Sequence, residues 1–297
     1  MSVTLGTPDV RDLAHLHEVI CGWQRDEGPL QLHPGDLGWY GLRGESATAA
    51  SMRVWSIDDA VAAIALIDGP QLLRLAIDPE RLVDQRLAAR IAADVDVPGT
   101  GVLDPGEAVV EARGADALGA QLDARGWRAD EPWTPLHLDL TQPLDIDVDG
   151  LRIRTIAPGD TEEWVRVHRS AFRGTPMSEE DMRTFVSGWE NVAAGPLFGS
   201  ARILNVEEGD GEVVAIAAVW SAGEGRPGLL EPMGVHQDHR GHGHGTTVTL
   251  GAAAALRELG ASSAIVCAES ANVGAIATYV AAGFSARAEV ADWLRED

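Results

Sequence analysis

One stretch constrains the fold of this chain more than any other: Gly228 to Gly245, which reads GLLEPMGVHQDHRGHGHG. Its apolar run from Leu229 to Val235 has the length and composition of a buried strand. The strand empties into a loop where Gly241, Gly243 and Gly245 alternate with His242 and His244 behind Arg240, and from Thr246 to Leu259 Ala and Leu recur at helical spacing. Strand, glycine loop and helix N-terminus in that order make an anion cradle. Glycines let successive N–H groups turn inward, and the free amides of a first helical turn add partial positive charge. The spacing is neither the G-x-G-x-x-G of dinucleotide folds nor a nucleoside triphosphate loop, which needs Gly-Lys-Ser or Gly-Lys-Thr.

The order of elements around this stretch occurs twice. In the first half, a strand at Ser2–Leu5 and a helix over Asp9–Ile20 precede an irregular region from Gln24 to Ser46. Strands then follow at 51–57, 61–67 and 72–77, a helix over 82–95, a strand at 108–112 and a helix over 116–124 that Gly126 stops. In the second half, a strand at Leu151–Ile156 and helices over 160–172 and 178–189 lead to strands at 201–206 and 213–220, joined through Glu208-Gly209-Asp210-Gly211. Val3 aligns with Leu151, Ile77 with Val235 and Gly126 with Gly283, an offset of 148 to 158 throughout. That near-constancy indicates tandem duplication, with the seam in the Pro- and Asp-bearing segment Thr141–Gly150. Domains are therefore expected at residues 1–140 and 151–297, joined by a linker over 141–150.

The two copies differ at the cradle. Where the second has glycines, the first has Asp78-Pro79-Glu80-Arg81-Leu82-Val83-Asp84-Gln85. Without glycine its amides are not presented, and Asp84 brings negative charge to the place an anion would take. The first half is expected to have kept its core pattern and lost its anion loop.

A formal charge of −23 over 297 residues argues against nucleic acid as a partner, since phosphate binding wants a basic surface. It favours cationic ligands or simply keeps the protein in solution. No apolar run approaches the ~20 residues of a membrane span, and the opening MSVTLGTPDVRD lacks a basic leader and an apolar signal core. A cytoplasmic protein with no membrane partner, monomer or homodimer, is expected. Cys21 and Cys267 stand far apart, one in each half, so no disulfide framework is indicated, and Cys267, ending an apolar strand, reads as a small buried hydrophobe. His236, His239, His242 and His244 invite a metal reading. A glycine-rich turn offers no rigid ligand geometry and Asp238 is its only carboxylate, so no metal is expected.

Arg240, Gly243 and Gly245 fit the pattern Arg or Gln, two residues, Gly, one residue, Gly or Ala. A strand at Ser263–Cys267 then leads to Asn272, Ala275, Tyr279 and Gly283-Phe284. Over Leu151 to Phe284 the chain thereby resembles the GNAT N-acetyltransferases. The resemblance implies an α/β fold of two tandem GNAT-like domains, each a twisted mixed β-sheet flanked by helices, with the first degenerate. It also implies acetyl-CoA as co-substrate, held by the backbone of Met233, Gly234 and Val235, by the loop Arg240, Gly241, His242, Gly243, His244, Gly245 and Thr246, and by Asn272 and Ala275.

Acetyl transfer to an amine needs a held thioester, a neutral amine and a proton for the departing thiolate. The resemblance assigns Glu231 as the base, on the strand face of Met233 and Val235; a surface carboxylate paired with Arg226 is the other reading. It assigns Tyr279 as the acid, two turns beyond Asn272, where it either donates its proton or only hydrogen-bonds the sulfur; aromatic filler is the alternative. For the acceptor, a small-molecule primary amine, Phe172, Trp189 and Trp220 are candidate walls, with core packing as the competing role. The loop 173–177, with Gly174 and Pro176, is a candidate lip. The expected activity is acetyl-CoA-dependent N-acetylation; the alternative is a non-catalytic acyl-CoA-binding or regulatory protein, which would need neither Glu231 nor Tyr279.

Overall fold

The computed structural model describes every residue except Met1, Pro98, Asp145, Asp147, Asp149, Pro176, Asp210 and Asp297. Three aspartates of the expected linker, Pro176 of the expected lip and Asp210 of the expected hairpin turn thus lie outside the described residues.

The first half runs β1 (Val3–Gly6), α1 (Leu13–Trp23), α2 (Pro34–Tyr40), α3 (Glu45–Ser51), β2 (Met52–Ile57), β3 (Ala60–Ile67), β4 (Leu72–Ile77), α4 (Gln85–Asp96), β5 (Ala108–Glu111), α5 (Asp116–Asp123) and β6 (Arg128–Asp139). The second runs β7 (Arg152–Ile156), α6 (Glu162–Phe172), α7 (Glu179–Ala194), β8 (Ala201–Glu207), β9 (Val213–Ser221), β10 (Gly228–Val235), α8 (His244–Glu258), β11 (Ser263–Glu269), α9 (Val273–Ala281), β12 (Ser285–Ala286) and β13 (Val290–Arg295). From β1/β7 to α5/α9 the strands and the two sheet-flanking helices correspond in order, which is the duplication legible in the sequence.

The strands form a single mixed sheet in the order β1-β2-β3-β4-β5-β13-β6-β11-β10-β9-β8-β7, with β12 added beside β6. This order is a palindrome of the two copies with their last strands exchanged. β6, the final strand of the first half, pairs antiparallel with β11 of the second from Ser263↔Asp139 to Glu269↔Trp133. β13, the final strand of the second half, pairs with β5 of the first at Trp293↔Val110 through Arg295↔Ala108. The exchanged strands pair with each other at the centre, Val290↔Trp133 to Leu294↔Arg128. Hydrogen bonding therefore crosses the proposed seam at residues 141–150 in both directions.

A buried ion pair fixes the crossing. Arg113, just past β5, donates from Nε and Nη2 to the two carboxylate oxygens of Asp292 on β13, at 2.9 and 2.7 Å, and both residues are buried. Burial opposes the Arg113 charge, yet Asp292 and Glu111 hold the guanidinium above its ordinary value. Removing one member of such a pair leaves an unpaired buried charge, a loss of about 3–5 kcal/mol.

The apolar core also spans both halves. Leu13, Leu37, Met52 and Ile64 of the first pack in one cluster with Trp164, Trp189 and Trp220 of the second. The region Gln24–Ser46, read as irregular, contains α2 and the start of α3. Gly35 and Gly38 of α2 hid it from a propensity reading, yet a Cβ on either would lie 2.7 or 2.2 Å from the Trp220 side chain. These glycines let a short helix lie directly on an indole of the other half, and packing outweighs their poor helix propensity. β6 and β13 also escaped the sequence reading. Pro132 and Pro135 interrupt the strand signal of β6, and long-range pairing decides its conformation.

Residues 151–297 expressed alone would lack the partner strand of β11 and leave Asp292 without Arg113. We expect an aggregating fragment by size-exclusion chromatography, because an unpaired apolar strand edge is an association surface. A soluble monomer that binds acetyl-CoA would show the second half to be self-sufficient.

Candidate active site

β10 and β11 run parallel for only two pairs, Gly228↔Ala264 and Leu229↔Ile265. Beyond them the strands part. At the same place β10 carries a register shift against β9 between Leu230 and Met233, with Glu231 and Pro232 at the irregularity. The Trp220 indole N–H donates to the Glu231 carbonyl at 2.7 Å and holds the irregular segment from beneath. A cavity of about 230 Å³ opens here, lined by β10 and β11 residues just past their last pair, including Glu231, Met233 and Cys267, and by Tyr279 of α9.

The opposite wall comes from the first half: Asp36 of α2, Arg74 of β4, Glu111 of β5 and Arg113, with Trp133 of β6. Arg74 Nη1 stands 3.7 Å from Asp36 and 3.2 Å from Glu111, while its Nε donates to Asp68 at 3.0 Å. The Arg113 guanidinium carbon lies 5.5 Å from the centre of the Trp133 ring. Carboxylates outnumber cations in this space, and the protonation states register it. Glu231 is pushed up to about 7, first by burial and then by Asp36, with Arg74 opposing. Glu111 is likewise pushed up to about 7 by burial, against Arg74 and Arg113. Burial, followed by the Glu231 charge, raises Tyr279 above its ordinary value and keeps the phenol protonated. Glu231 and Arg74 line the same cavity, whereas the Arg226 guanidinium donates to the Ala222 carbonyl, at 3.5 Å.

Cys267 also lines the cavity, but burial pushes its thiol up to about 11, which leaves no thiolate at neutral pH. His33 is buried and driven down to about 3. Its Nδ1 accepts from the Gly35 N–H at 2.9 Å, so the proton is on Nε2, which donates to the Pro227 carbonyl at 3.2 Å. This neutral histidine ties the start of α2 to the loop before β10.

The anion loop has the backbone its glycines foretold. Gly241 and Gly243 adopt φ of +83° and +87°, where L side chains are strained. Gly245 has no such angle and is needed for space, since a Cβ there would lie 2.9 Å from the Thr278 methyl of α9. Gly234 is a close approach too, with a Cβ position 2.8 Å from Ala171 of α6. Gly243 is the N-cap of α8 and no side chain caps that helix. In the first half the equivalent turn is closed, because Asp84 accepts from the Arg86 and Leu87 N–H groups at 2.9 and 3.1 Å.

Several residues expected at the site take other places. Asn272 caps α9 by accepting from the Ala275 N–H at 3.1 Å. The Arg240 side chain donates from Nη2 to the Ala171 carbonyl at 2.8 Å. Phe172 lines the cavity and is 52% exposed. Trp189 and Trp220 do not line it. Both are buried, stacked on each other with centroids 6.0 Å apart, and belong to the shared core, where their large apolar area is best spent. The sequence reading missed Asp36, Arg74, Glu111 and Arg113 altogether. For Arg74 and Glu111 the signal was present only as charged residues in otherwise apolar strand segments, LLRLAI and AVVE.

Comparison with known proteins agrees with this geometry. Residues 163–284 match the Acetyltransferase (GNAT) family. Residues 163–284 are thus similar to GNAT acetyltransferases, and the chain as a whole shares the fold of tandem GNAT proteins. A mycothiol acetyltransferase from Thermobispora bispora is 28% identical over 205 residues, which span 66% of this chain and 66% of that relative. Among solved structures, a tandem GNAT protein from the clavulanic acid biosynthesis pathway superposes with a TM-score of 0.62 at 16% identity, covering 99% of this chain and 98% of that one. A GNAT-family acetyltransferase from Colwellia psychrerythraea gives 0.60 at 14% identity over the whole of both chains. At these identities the structural likeness bears on fold alone. Among the described residues no helix is long and apolar enough to cross a membrane.

The contrast between the two helix starts is measurable. Asp84→Ala removes a side-chain cap and should lower stability by about 1 kcal/mol in urea denaturation. No loss would mean that the α4 amides are satisfied without Asp84.

Proposed function

We propose that the second half binds acetyl-CoA along the parted strand β10 and the loop Gly241–Gly245, and that it acetylates the primary amine of a small cationic molecule held between the halves. The observation that carries this reading is that Glu231 and Tyr279 line one cavity beside the unpaired stretch of β10. Open amides at the start of α8 suit an anion such as a pyrophosphate. They favour acetyl-CoA here rather than at α4, where Asp84 occupies the amides.

Acetyl-CoA supplies the thioester; the remaining chemistry belongs to side chains. An alkyl amine has a pKa of about 10.4 and arrives as ammonium. Asp36, Glu111 and Glu231 draw such a cation in, and its charge favours their ionised forms. Glu231 then takes the amine proton, which frees the nitrogen lone pair for attack at the carbonyl carbon. As the carbon–sulfur bond breaks, Tyr279 donates its proton to the departing sulfur, and the nitrogen returns a proton to the phenolate as it becomes an amide. A buried phenol held protonated is suited to that donation, and a carboxylate near neutrality to the acceptance.

Free-thiol release from acetyl-CoA over a panel of amino acids, peptides, polyamines, amine antibiotics and thiol-bearing amines tests the activity. Because the base must be ionised, kcat/KM should rise with pH through about 7. Glu231→Gln should abolish that limb and cost about 10²–10⁴-fold. Tyr279→Phe should cut kcat with acetyl-CoA affinity unchanged in calorimetry, one site per chain. Unchanged turnover in both variants would remove these residues from catalysis.

The acceptor class is tested separately. Glu111→Gln keeps the shape of the wall and deletes one charge, so KM for the amine should rise about tenfold, the size of one charge-assisted hydrogen bond. Acetyl-CoA affinity should not change. An unaltered KM would place the acceptor elsewhere.

A further inference from the structure

Outside this cavity, the hairpin between β8 and β9 meets the start of α8, and four side chains converge there. Glu208 and Glu212 come from the hairpin, His239 from the short 3-10 turn after β10, and His244 is the first residue of α8. The sequence reading against a metal counted only the carboxylate inside the histidine loop. Folding brings two more from a hairpin some thirty positions upstream.

His244 is only 6% exposed, and both its ring nitrogens are buried without a hydrogen bond. Its Nε2 stands 3.2 Å from Glu208 Oε1, and His239 Nδ1 stands 3.6 Å from the same oxygen. One ligand atom from each of Glu208, His239 and His244 lies within 4.8 Å of the others. A tetrahedral ion with bonds of about 2.0–2.2 Å has ligand–ligand edges of about 3.3–3.6 Å, close to two of these separations. Small rotations of the exposed Glu208 side chain and of His239 would close the third. The other nitrogen of His239, Nε2, lies 3.3 Å from Glu212 Oε1. A carboxylate behind a ligating imidazole fixes its tautomer and raises its basicity, which is the usual outer shell of a zinc histidine.

We propose that Glu208, His239 and His244 form a binding site for a divalent transition metal of the Zn²⁺ class, with Glu212 orienting His239 and water in the fourth position. The donor set of two imidazoles and a carboxylate suits Zn²⁺ and excludes Mg²⁺ and Ca²⁺, which take oxygen. The ion ties the hairpin to the first turn of α8 and sets positive charge beside a loop that lacks lysine. A gain in acetyl-CoA affinity on metal loading would follow; this coupling rests on the function proposed above, whereas metal binding itself does not.

The test uses the full-length chain without a histidine tag, stripped with EDTA and titrated with ZnCl₂ by calorimetry and with Co²⁺ by visible absorption. One site per chain is expected, with an intense tetrahedral Co²⁺ spectrum and a raised Tm. Glu208→Gln and His239→Gln should each abolish saturable binding, with folding checked by circular dichroism. Glu212→Gln should weaken it about 10–100-fold. His236→Gln, which alters a neighbouring histidine outside the set, should bind as the parent does. Absence of saturable binding in the parent would overturn the proposal. So would equal losses in His236→Gln and His239→Gln, which would indicate binding by histidine content alone. Zn²⁺ binding with no effect on acetyl-CoA affinity would retain the site and remove only the coupling.

Discussion

The central antiparallel pair of β6 and β13 is the constraint on which the rest of the molecule depends. Each strand ends one copy of the duplicated sequence and completes the sheet of the other. Once exchanged, they force the halves into one continuous sheet, and they bring β5 of the first copy and β11 of the second to opposite sides of the same crossing. The cavity sits where β10 leaves β11, so it faces the first half by necessity. Trp133 reaches the cavity from one exchanged strand, and Asp292 holds Arg113 from the other. A substrate pocket at a boundary between halves is an ordinary outcome of such an arrangement. Here the boundary is inside a sheet, which makes the pocket wall as rigid as the sheet itself.

That rigidity has an electrostatic use. Arg74 is surrounded by Asp36, Asp68 and Glu111, and Arg113 is committed to Asp292, so neither guanidinium is free to neutralise Glu231 fully. The surplus of carboxylate raises Glu231 and Glu111 toward neutrality, where small changes in occupancy change their charge. A carboxylate paired tightly with arginine would be a poor base, and one buried alone would stay protonated. Partial pairing lies between these limits. The first half thereby acts on Glu231 of the second through charge as well as packing.

How much of this was legible in the sequence follows from the range of the interactions involved. The glycine turn at 241–245 was legible, because its requirements are local: two glycines at positive φ and one at a tight contact are written within five residues. The duplication was legible through periodicity and offset. Asp84 was also readable as a closed cradle, since a cap acts within three residues. The strand exchange was not, because β6 carries two prolines and finds its partner 124 to 136 positions further on, from Asp139↔Ser263 to Trp133↔Glu269. Trp189 and Trp220 looked like pocket walls from their place in the order of elements. Only α2, a helix disguised by its glycines, reveals that the space beside Trp220 is already filled.

The two helix starts show how one fold diverged after duplication. Both copies retain the strand, the short 3-10 turn and the helix. In α4 an aspartate satisfies the first-turn amides from within, which stabilises the helix and removes it as an anion site. In α8 the N-cap is a left-handed glycine with no side chain to cap it, so the helix forgoes a few tenths of a kcal/mol of capping and leaves first-turn amides without a side-chain partner. A chain relieved of ligand binding in one copy gains by capping it, and the same copy is then free to supply Asp36, Arg74 and Glu111 to its neighbour's cavity. Loss of the loop and gain of the wall are two sides of one division of labour, with stability drawn from the first half and an open helix end kept in the second.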